Sequence, residues 1–171
     1  MHKPQQSEYA KYYETYVSKV EDKPLDRQLS MNSFILMEIL ISLEEEQLDF
    51  AYADGKWTIR ELFQHIIDTE IVFAYRAFSI ARGESQPLPG FDQNEYAAIA
   101  AKEKLSLEEL KNAYRQTRRF TVSLFSYLKD ADLKRIGTAS GSPLSARAAG
   151  YIIIGHELHH LKVLMEKYIN V

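Results

Sequence analysis

Three histidines lie close together in the run Gly155-His156-Glu157-Leu158-His159-His160. On a helix, His156 and His160 would lie about 40° apart around the axis and about 6 Å apart along it, so one ion could contact both rings. His159 would point about 100° away from His160. Taken alone, the pair fits a hydrogen-bonded pair as well as a metal site. It shares its helix face with apolar residues and should therefore be buried: Ala149, Ile152, Ile153 and Val163.

A further histidine, His65, lies in a second helical pattern, on a stripe of polar residues. Amphipathic surface helices commonly look like this, so the periodicity alone favours a solvent-exposed face. If the histidines are incidental to the fold, the rings of His65 and His156 should lie far apart. The polar stripe contains Thr58, Glu61, His65, Asp68, Thr69 and Arg76, and the opposite face contains Phe63, Ile66, Ile67, Ala74 and Phe78.

The composition excludes several kinds of chemistry. The 171 residues include 21 Lys and Arg, 24 Asp and Glu, five His and no Cys, which gives a formal net charge of −3. No basic surface is available for a phosphate backbone, so we expect no nucleic-acid partner. Disulfides, thiolate metal sites and a cysteine nucleophile are excluded. The sequence also lacks the motifs of serine hydrolases, P-loop nucleotide binding, dinucleotide binding and HExxH metalloproteases.

The sequence carries no targeting or membrane signal. Residues 1–10 are polar and lack the apolar core of a signal peptide. The longest stretch without a charged or strongly polar residue, 148–155, is far shorter than the roughly 20 residues that span a bilayer. We therefore expect a cytoplasmic protein with no membrane partner.

The hydrophobic periodicity predicts four long helices, at about 26–46, 58–82, 106–128 and 145–168. The motifs Thr58-x-x-Glu61 and Ser106-x-x-Glu109 are capping boxes that start two of them. Helices of this length suit an all-α fold, an antiparallel four-helix bundle of the up-down type, in one domain over 1–171. A short helical segment at 8–20 precedes them, and we interpret its tyrosines as core and packing surface rather than a ligand site.

Two loops, 83–105 and 130–144, are long enough to shape the mouth of a pocket. The last helix also carries a second apolar stripe opposite the histidines. A second copy of the chain could cover it, which predicts a homodimer, but packing of the N-terminal segment would explain it equally well. The stripe consists of Ile154, Leu158, Leu161, Met165 and Ile169.

Four segments together resemble the DinB/YfiT-like superfamily of metal-binding bundles, over about residues 25–168. They are 54–59 (Asp-Gly-Lys-Trp-Thr-Ile) with His65 and Glu70, then 76–82, 89–92 (Pro-Gly-Phe-Asp) and 155–160. In that family one histidine of the second helix and two of the fourth hold a divalent metal. The resemblance therefore implies that His65, His156 and His160 are the ligands. Zinc and nickel both accept three imidazoles.

The resemblance also implies a small-molecule substrate, because family members include thiol-dependent S-transferases and isomerases as well as metal-dependent hydrolases. Three nitrogens leave a coordination position open, which is typical of catalytic sites. We therefore expect an enzyme that activates water or a low-molecular-weight thiol. The alternative is a non-catalytic metal-binding module for stress response or interaction, with a closed coordination shell. Asp68, Glu61 and Thr69 are candidates to orient His65 from outside the shell, and Glu70 is a poorer one.

Overall fold

The computed structural model describes residues 3–169. The N-terminal segment forms two 3-10 turns and one short helix, α1 (Glu14–Val17). Then follow α2 (Leu25–Ser42), α3 (Ile59–Ala81), α4 (Gln93–Ala100), α5 (Leu107–Tyr127) and α6 (Asp130–Leu133). A hairpin of β1 (Ile136–Ala139) and β2 (Ser142–Ser145) leads into α7 (Ala146–Leu164), which continues as a π-helical turn over Met165–Ile169.

The predicted four-helix bundle is confirmed, and α2, α3, α5 and α7 are its helices. Both capping boxes form: the Thr58 hydroxyl accepts from the backbone N–H of Glu61, and the Ser106 hydroxyl from that of Glu109. The predicted end of the first helix is wrong by four residues. Helix α2 ends at Ser42, and a 3-10 turn (Glu45–Asp49) follows, because Glu45 accepts from the backbone N–H of Leu107 and so fixes the chain there.

The order of the helices differs in one respect from a simple up-down bundle. Helix α3 packs against α5 and α7, and α2 packs against the same two helices. The neighbours α3 and α5 run parallel, since Arg60 contacts Leu105 just before α5, and Glu70 contacts Arg118 further along both. The connection between them contains α4 and is long enough to return the chain to the end of the bundle where α3 begins.

The predicted loops contain regular structure. Helix α4 lies within 83–105, and the hairpin lies within 130–144, so the chain is mostly helical with one small sheet. Ser140 and Gly141 connect β1 and β2 with positive φ values of 51° and 73°, which are typical of a two-residue hairpin turn. Leu88 pairs with this hairpin through two backbone hydrogen bonds, to Thr138 and Ser140.

The N-terminal segment packs against α7. A Cβ at Gly155 would collide with the carbonyl group of Tyr16, so only glycine permits this approach. The segment thus covers the first part of the second apolar stripe: Ile154 is buried, and Leu158 packs in the same cluster as Tyr16. The predicted single helix at 8–20 is wrong for most of its length, since only Glu14–Val17 is α-helical. Within residues 3–169, no helix is long and apolar enough to cross a membrane.

Candidate metal centre

The structure brings together the three histidines that the sequence pattern and the resemblance single out. The capping box fixes the first turn of α3, and His65 follows two turns later, where α3 crosses the antiparallel α7. The Nε2 atom of His156 lies 2.9 Å from that of His65 and 3.1 Å from that of His160. The rings of His65 and His156 have centroids 4.8 Å apart, so the expectation for incidental histidines, that they lie far apart, is wrong.

These separations fit one shared ion. Imidazole nitrogens bind zinc at about 2.0–2.1 Å, which places two ligand nitrogens about 2.9–3.4 Å apart for the usual coordination angles. The ligand atoms of His65, His156 and His160 all lie within 4.8 Å of one another. His159 is not part of this group, and its ring packs against Tyr16 with centroids 5.7 Å apart. The remaining histidine, His2, lies outside the described residues.

Burial keeps the three rings uncharged. His65 and His156 are 4% and 5% exposed. Burial lowers the pKa of His65 to about 4 and that of His160 to about 3, and burial together with the two neighbouring rings holds the pKa of His156 well below its usual value. Neutral imidazoles have free lone pairs, so the site needs to lose no proton from these rings at neutral pH before a cation binds.

The interpretation of the α3 polar stripe as a solvent-exposed face is wrong. His65, Thr69 and Arg76 are all buried. Arg76 donates to the carbonyl of Pro89 and to the Ser140 hydroxyl, and its guanidinium lies against the rings of Phe73 and Phe91. The connection between α3 and α5 therefore covers the part of this stripe around Arg76 and shields it from solvent.

The carboxylates that we expected to orient His65 have other partners. Asp68 accepts from the Gln64 amide, and Glu61 accepts from Thr58 in the capping box. Within residues 3–169, no hydrogen bond joins either of them, or Thr69, to His65. Aromatic rings hold the histidines instead: Trp57 lies 4.6 Å from His65 between centroids, and Tyr16 lies 5.3 Å from His156.

A cavity of about 490 Å³ opens beside His156. Tyr12, Tyr13 and Tyr16 of the N-terminal segment line it, and Tyr13 and Tyr16 also pack against the core, as the interpretation of these tyrosines as core and packing surface predicted. The predicted role of 83–105 in shaping a pocket mouth is confirmed for residues 90–93, which line the cavity. The described residues 130–144 do not line it; they contact that connection through the backbone hydrogen bonds between the hairpin and Leu88. Besides residues 90–93, the lining consists of Tyr12, Tyr13, Tyr16, Thr69, Phe73, Ile152 and His156.

The sequence patterns missed a buried charged cluster directly next to the centre. Arg118 of α5 donates to both carboxylate oxygens of Glu70, at 2.9 and 2.8 Å, and also pairs with Glu157. It donates to the carbonyl of Leu29 as well, and the Tyr114 hydroxyl donates to Glu157 at 2.8 Å. Burial raises the pKa of Glu157, although Arg118 opposes this.

This cluster ties all four bundle helices together one residue away from His156. The signal in the sequence was Glu157 itself, a carboxylate on a helix that is apolar on two sides. Its partners on α3 and α5 could not be identified, because the sequence does not show which helices are neighbours.

Fold and site together define a helical bundle that carries a three-histidine centre between two of its helices. Residues 34–164 match the model of the DinB superfamily, and the chain belongs to this superfamily.

Two relatives named "Putative metal-dependent hydrolase" align with most of the chain. One, from Oceanobacillus iheyensis, is 28% identical over 85% of this chain and 80% of its own length. The other, from Bacillus mycoides, is 26% identical over 85% of this chain and 86% of its own length. A second Oceanobacillus iheyensis protein of that name is 34% identical over 42% of this chain, and the match spans only 41% of that relative.

Two solved structures share the fold. YfiT from Bacillus subtilis, described as a "probable metal-dependent hydrolase with an unusual four-helix bundle topology", has a TM-score of 0.75 at 18% identity, over 96% of this chain and 90% of its own. The mycothiol-dependent maleylpyruvate isomerase has a TM-score of 0.66 at 16% identity, over 85% of this chain and 61% of its own. At these identities the likeness shows the fold alone.

Proposed function

We propose that the chain is a metal-dependent enzyme in which His65, His156 and His160 bind one divalent ion, zinc or nickel. The convergence of three neutral imidazoles, two buried and one half-buried, beside an open cavity is the observation that carries this proposal. A divalent ion supplies Lewis-acid chemistry that makes a water or a thiol nucleophilic near neutral pH. The reaction would be a hydrolysis or an S-transfer with a low-molecular-weight thiol as cosubstrate.

The names of the relatives support this proposal at the level of reaction class. Two aligned relatives are named as metal-dependent hydrolases, and a protein of the same fold uses the thiol mycothiol. The absence of cysteine from this sequence is compatible with a thiol that comes from outside the chain.

The chain's own residues would position the reactants rather than carry protons. The three imidazoles bind the ion, and Trp57 and Tyr16 pack on their rings and limit their movement. Aromatic side chains on the cavity wall exclude water from the reacting groups. Asp92 is the one carboxylate among the described lining residues, and it already accepts hydrogen bonds from two backbone N–H groups at the start of α4.

The non-catalytic alternative requires a closed coordination shell. The open cavity beside His156 favours the enzyme, because a small molecule can approach the ion from that side. Nothing in the structure favours the module specifically, so we retain the enzyme as the proposal.

The test is a screen of ester and amide hydrolysis and of thiol transfer on the zinc- and nickel-loaded protein. Any activity found should fall by at least about 100-fold in His160→Ala, because the ion would lose a ligand. His159→Ala is the matched control and should keep that activity, since His159 faces Tyr16. Equal activity in His160→Ala and the unmodified chain would contradict the proposal.

A homodimer, a cytoplasmic location and a single domain over 1–171 remain part of the proposal. Apolar side chains that are exposed on the neighbouring helices α3 and α5 support the dimer, although the sequence pattern pointed to α7. A species of 19.8 kDa, the mass of one chain, in light scattering would contradict it. The exposed residues are Ile71, Tyr75, Phe78 and Phe120.

A further inference from the structure

The cavity beside His156 has walls made largely of aromatic rings. Tyr12, Tyr13 and Tyr16 come from the N-terminal segment, Phe73 from α3 and Phe91 from the connection to α4. They support one another edge to face: Tyr13 lies 5.2 Å from Tyr12 and 5.5 Å from Phe73 between centroids. Walls of this kind bind flat, apolar groups through stacking and edge contacts. The volume of about 490 Å³ is that of a small-molecule site.

The described residues of the cavity wall offer no cationic side chain to an anionic ligand. Among the described residues that line it, none is Lys or Arg, and Asp92 is the only charged one. The nearby Arg76 is 2% exposed, lies behind the rings of Phe73 and Phe91, and is already bonded to Pro89 and Ser140. Away from an ion held by the three histidines, a carboxylate or phosphate among these rings would lose its hydration without gaining a cationic partner.

One polar group in the wall lacks a partner. Thr69 lies one helical turn after His65, is 4% exposed and lines the cavity, yet its hydroxyl forms no hydrogen bond with any described residue. Helical threonines commonly donate to the carbonyl four residues earlier, as Thr121 does to Thr117 at 3.0 Å. The oxygen has almost no accessible surface, so the side chain would have to turn about χ1 toward the cavity to meet a ligand. A buried hydroxyl without a partner is costly, and a ligand that bonds to it after this rotation would gain affinity.

We propose that the cavity takes a substrate with a planar, aromatic or conjugated part that is uncharged and lies among these rings, and with a hydrogen-bonding group that reaches the Thr69 hydroxyl. This assignment of substrate class rests on the proposed function only in placing the reacting end of the substrate at the three histidines. The aromatic walls, the lack of Lys and Arg among the described lining residues, and the unpartnered Thr69 hydroxyl do not depend on a bound metal.

Three probes of matched size test the proposal. Benzamide is planar, neutral and able to form hydrogen bonds; benzoate has the same shape with a charge; cyclohexanecarboxamide has the same amide on a non-planar ring. We would measure dissociation constants by NMR titration on the purified chain, and again after chelation, because benzoate could otherwise bind an ion directly. Benzamide should bind the chelated protein at least about tenfold more tightly than benzoate, and more tightly than cyclohexanecarboxamide in both states.

The Thr69 hydroxyl is tested by Thr69→Val, which keeps the shape of the side chain. Benzamide affinity should fall about fivefold, the usual effect of losing one hydrogen bond, and Thr69→Ser should restore it. Thr121→Val is the matched control: it removes an equally buried threonine hydroxyl on α5, away from the cavity, and should leave benzamide affinity unchanged.

The outcomes separate this inference from the proposed function. If benzamide does not bind, if benzoate binds the chelated protein equally well, or if Thr69→Val behaves like Thr121→Val, the substrate class is wrong, even if the histidines hold a metal. If the histidines bind no metal but the probes follow the expected order, the proposed function fails and the inference about the cavity stands.

Discussion

At the scale of single residues, the candidate centre depends on groups that are buried and therefore need partners. Three imidazoles on α3 and α7 face one another, and Glu157, next to His156, is neutralised by Arg118. Arg118 lies between two carboxylates and also binds the Leu29 carbonyl of α2. A charge of this kind is costly to bury but much more costly to leave without its partners.

Arg118→Met should therefore destabilise the protein strongly. The substitution keeps most of the side-chain volume but leaves Glu70 and Glu157 buried as neighbouring carboxylates without a cation. We expect the free energy of unfolding to fall by about 3–5 kcal/mol in urea denaturation. The next residue provides the control, because Arg119 is exposed and Arg119→Met should change stability by less than about 0.5 kcal/mol. Similar losses in the two variants would refute this role for the cluster.

At the scale of the elements, the part that periodicity could not predict is the cover over the site. The capping boxes that begin at Thr58 and Ser106 each involve only four consecutive residues, so the sequence predicted the starts of these two helices correctly. The environment of His65 is not local: α7 packs against His65, and the connection to α5 and the N-terminal segment cover the rest of its polar stripe. The pair His156 and His160 was identifiable because four residues bring two side chains to one face of a helix.

The N-terminal segment is held on α7 by a buried ion pair. The Nε atom of Arg147 donates to Glu8 at 2.8 Å, and both side chains are at least nine-tenths buried. Burial, the largest single influence, would raise the pKa of Glu8, but the hydrogen bonds from Arg147, Gln5 and Ser145 together with the charge of Arg147 outweigh it, and the pKa lies below its usual value. A carboxyl whose pKa is lower in the folded state stabilises the fold above its unfolded pKa, and this contribution is lost as the pH falls through the folded value.

Glu8→Gln should accordingly lower the free energy of unfolding at pH 7 by about 1–3 kcal/mol. The difference from the unmodified chain should begin to narrow as the pH falls below about 4.5, where Glu8 of the unfolded chain becomes protonated. It should be smallest once the pH lies below the lower pKa of the folded state, because Glu8 is then protonated in both states. Urea denaturation between pH 7 and pH 3 measures both effects. The exposed Glu38 on α2 supplies the control variant Glu38→Gln, for which we expect no such difference. A difference for Glu8→Gln that is equally large at pH 3 and pH 7 would show that the ion pair is not its cause.

At the scale of the whole molecule, the sequence predicted four helices but not which of them are neighbours. Helices α3 and α5 run side by side in the same direction, and the long connection that makes this possible also supplies one wall of the cavity. The antiparallel crossing of α3 and α7 is what places His65 against His156. The family resemblance implied that these residues meet, and the bundle provides the contact between helices that periodicity alone could not.

The three histidines should bind one metal ion, and the metal content of the purified, tag-free chain shows whether they do. Elemental analysis after dialysis against zinc or nickel should find about one ion per chain in the unmodified protein and in the control His159→Ala, since three converging imidazoles form the site. His65→Ala and His156→Ala should retain less than about a tenth of that amount. The same substoichiometric metal content in all four proteins would contradict the account.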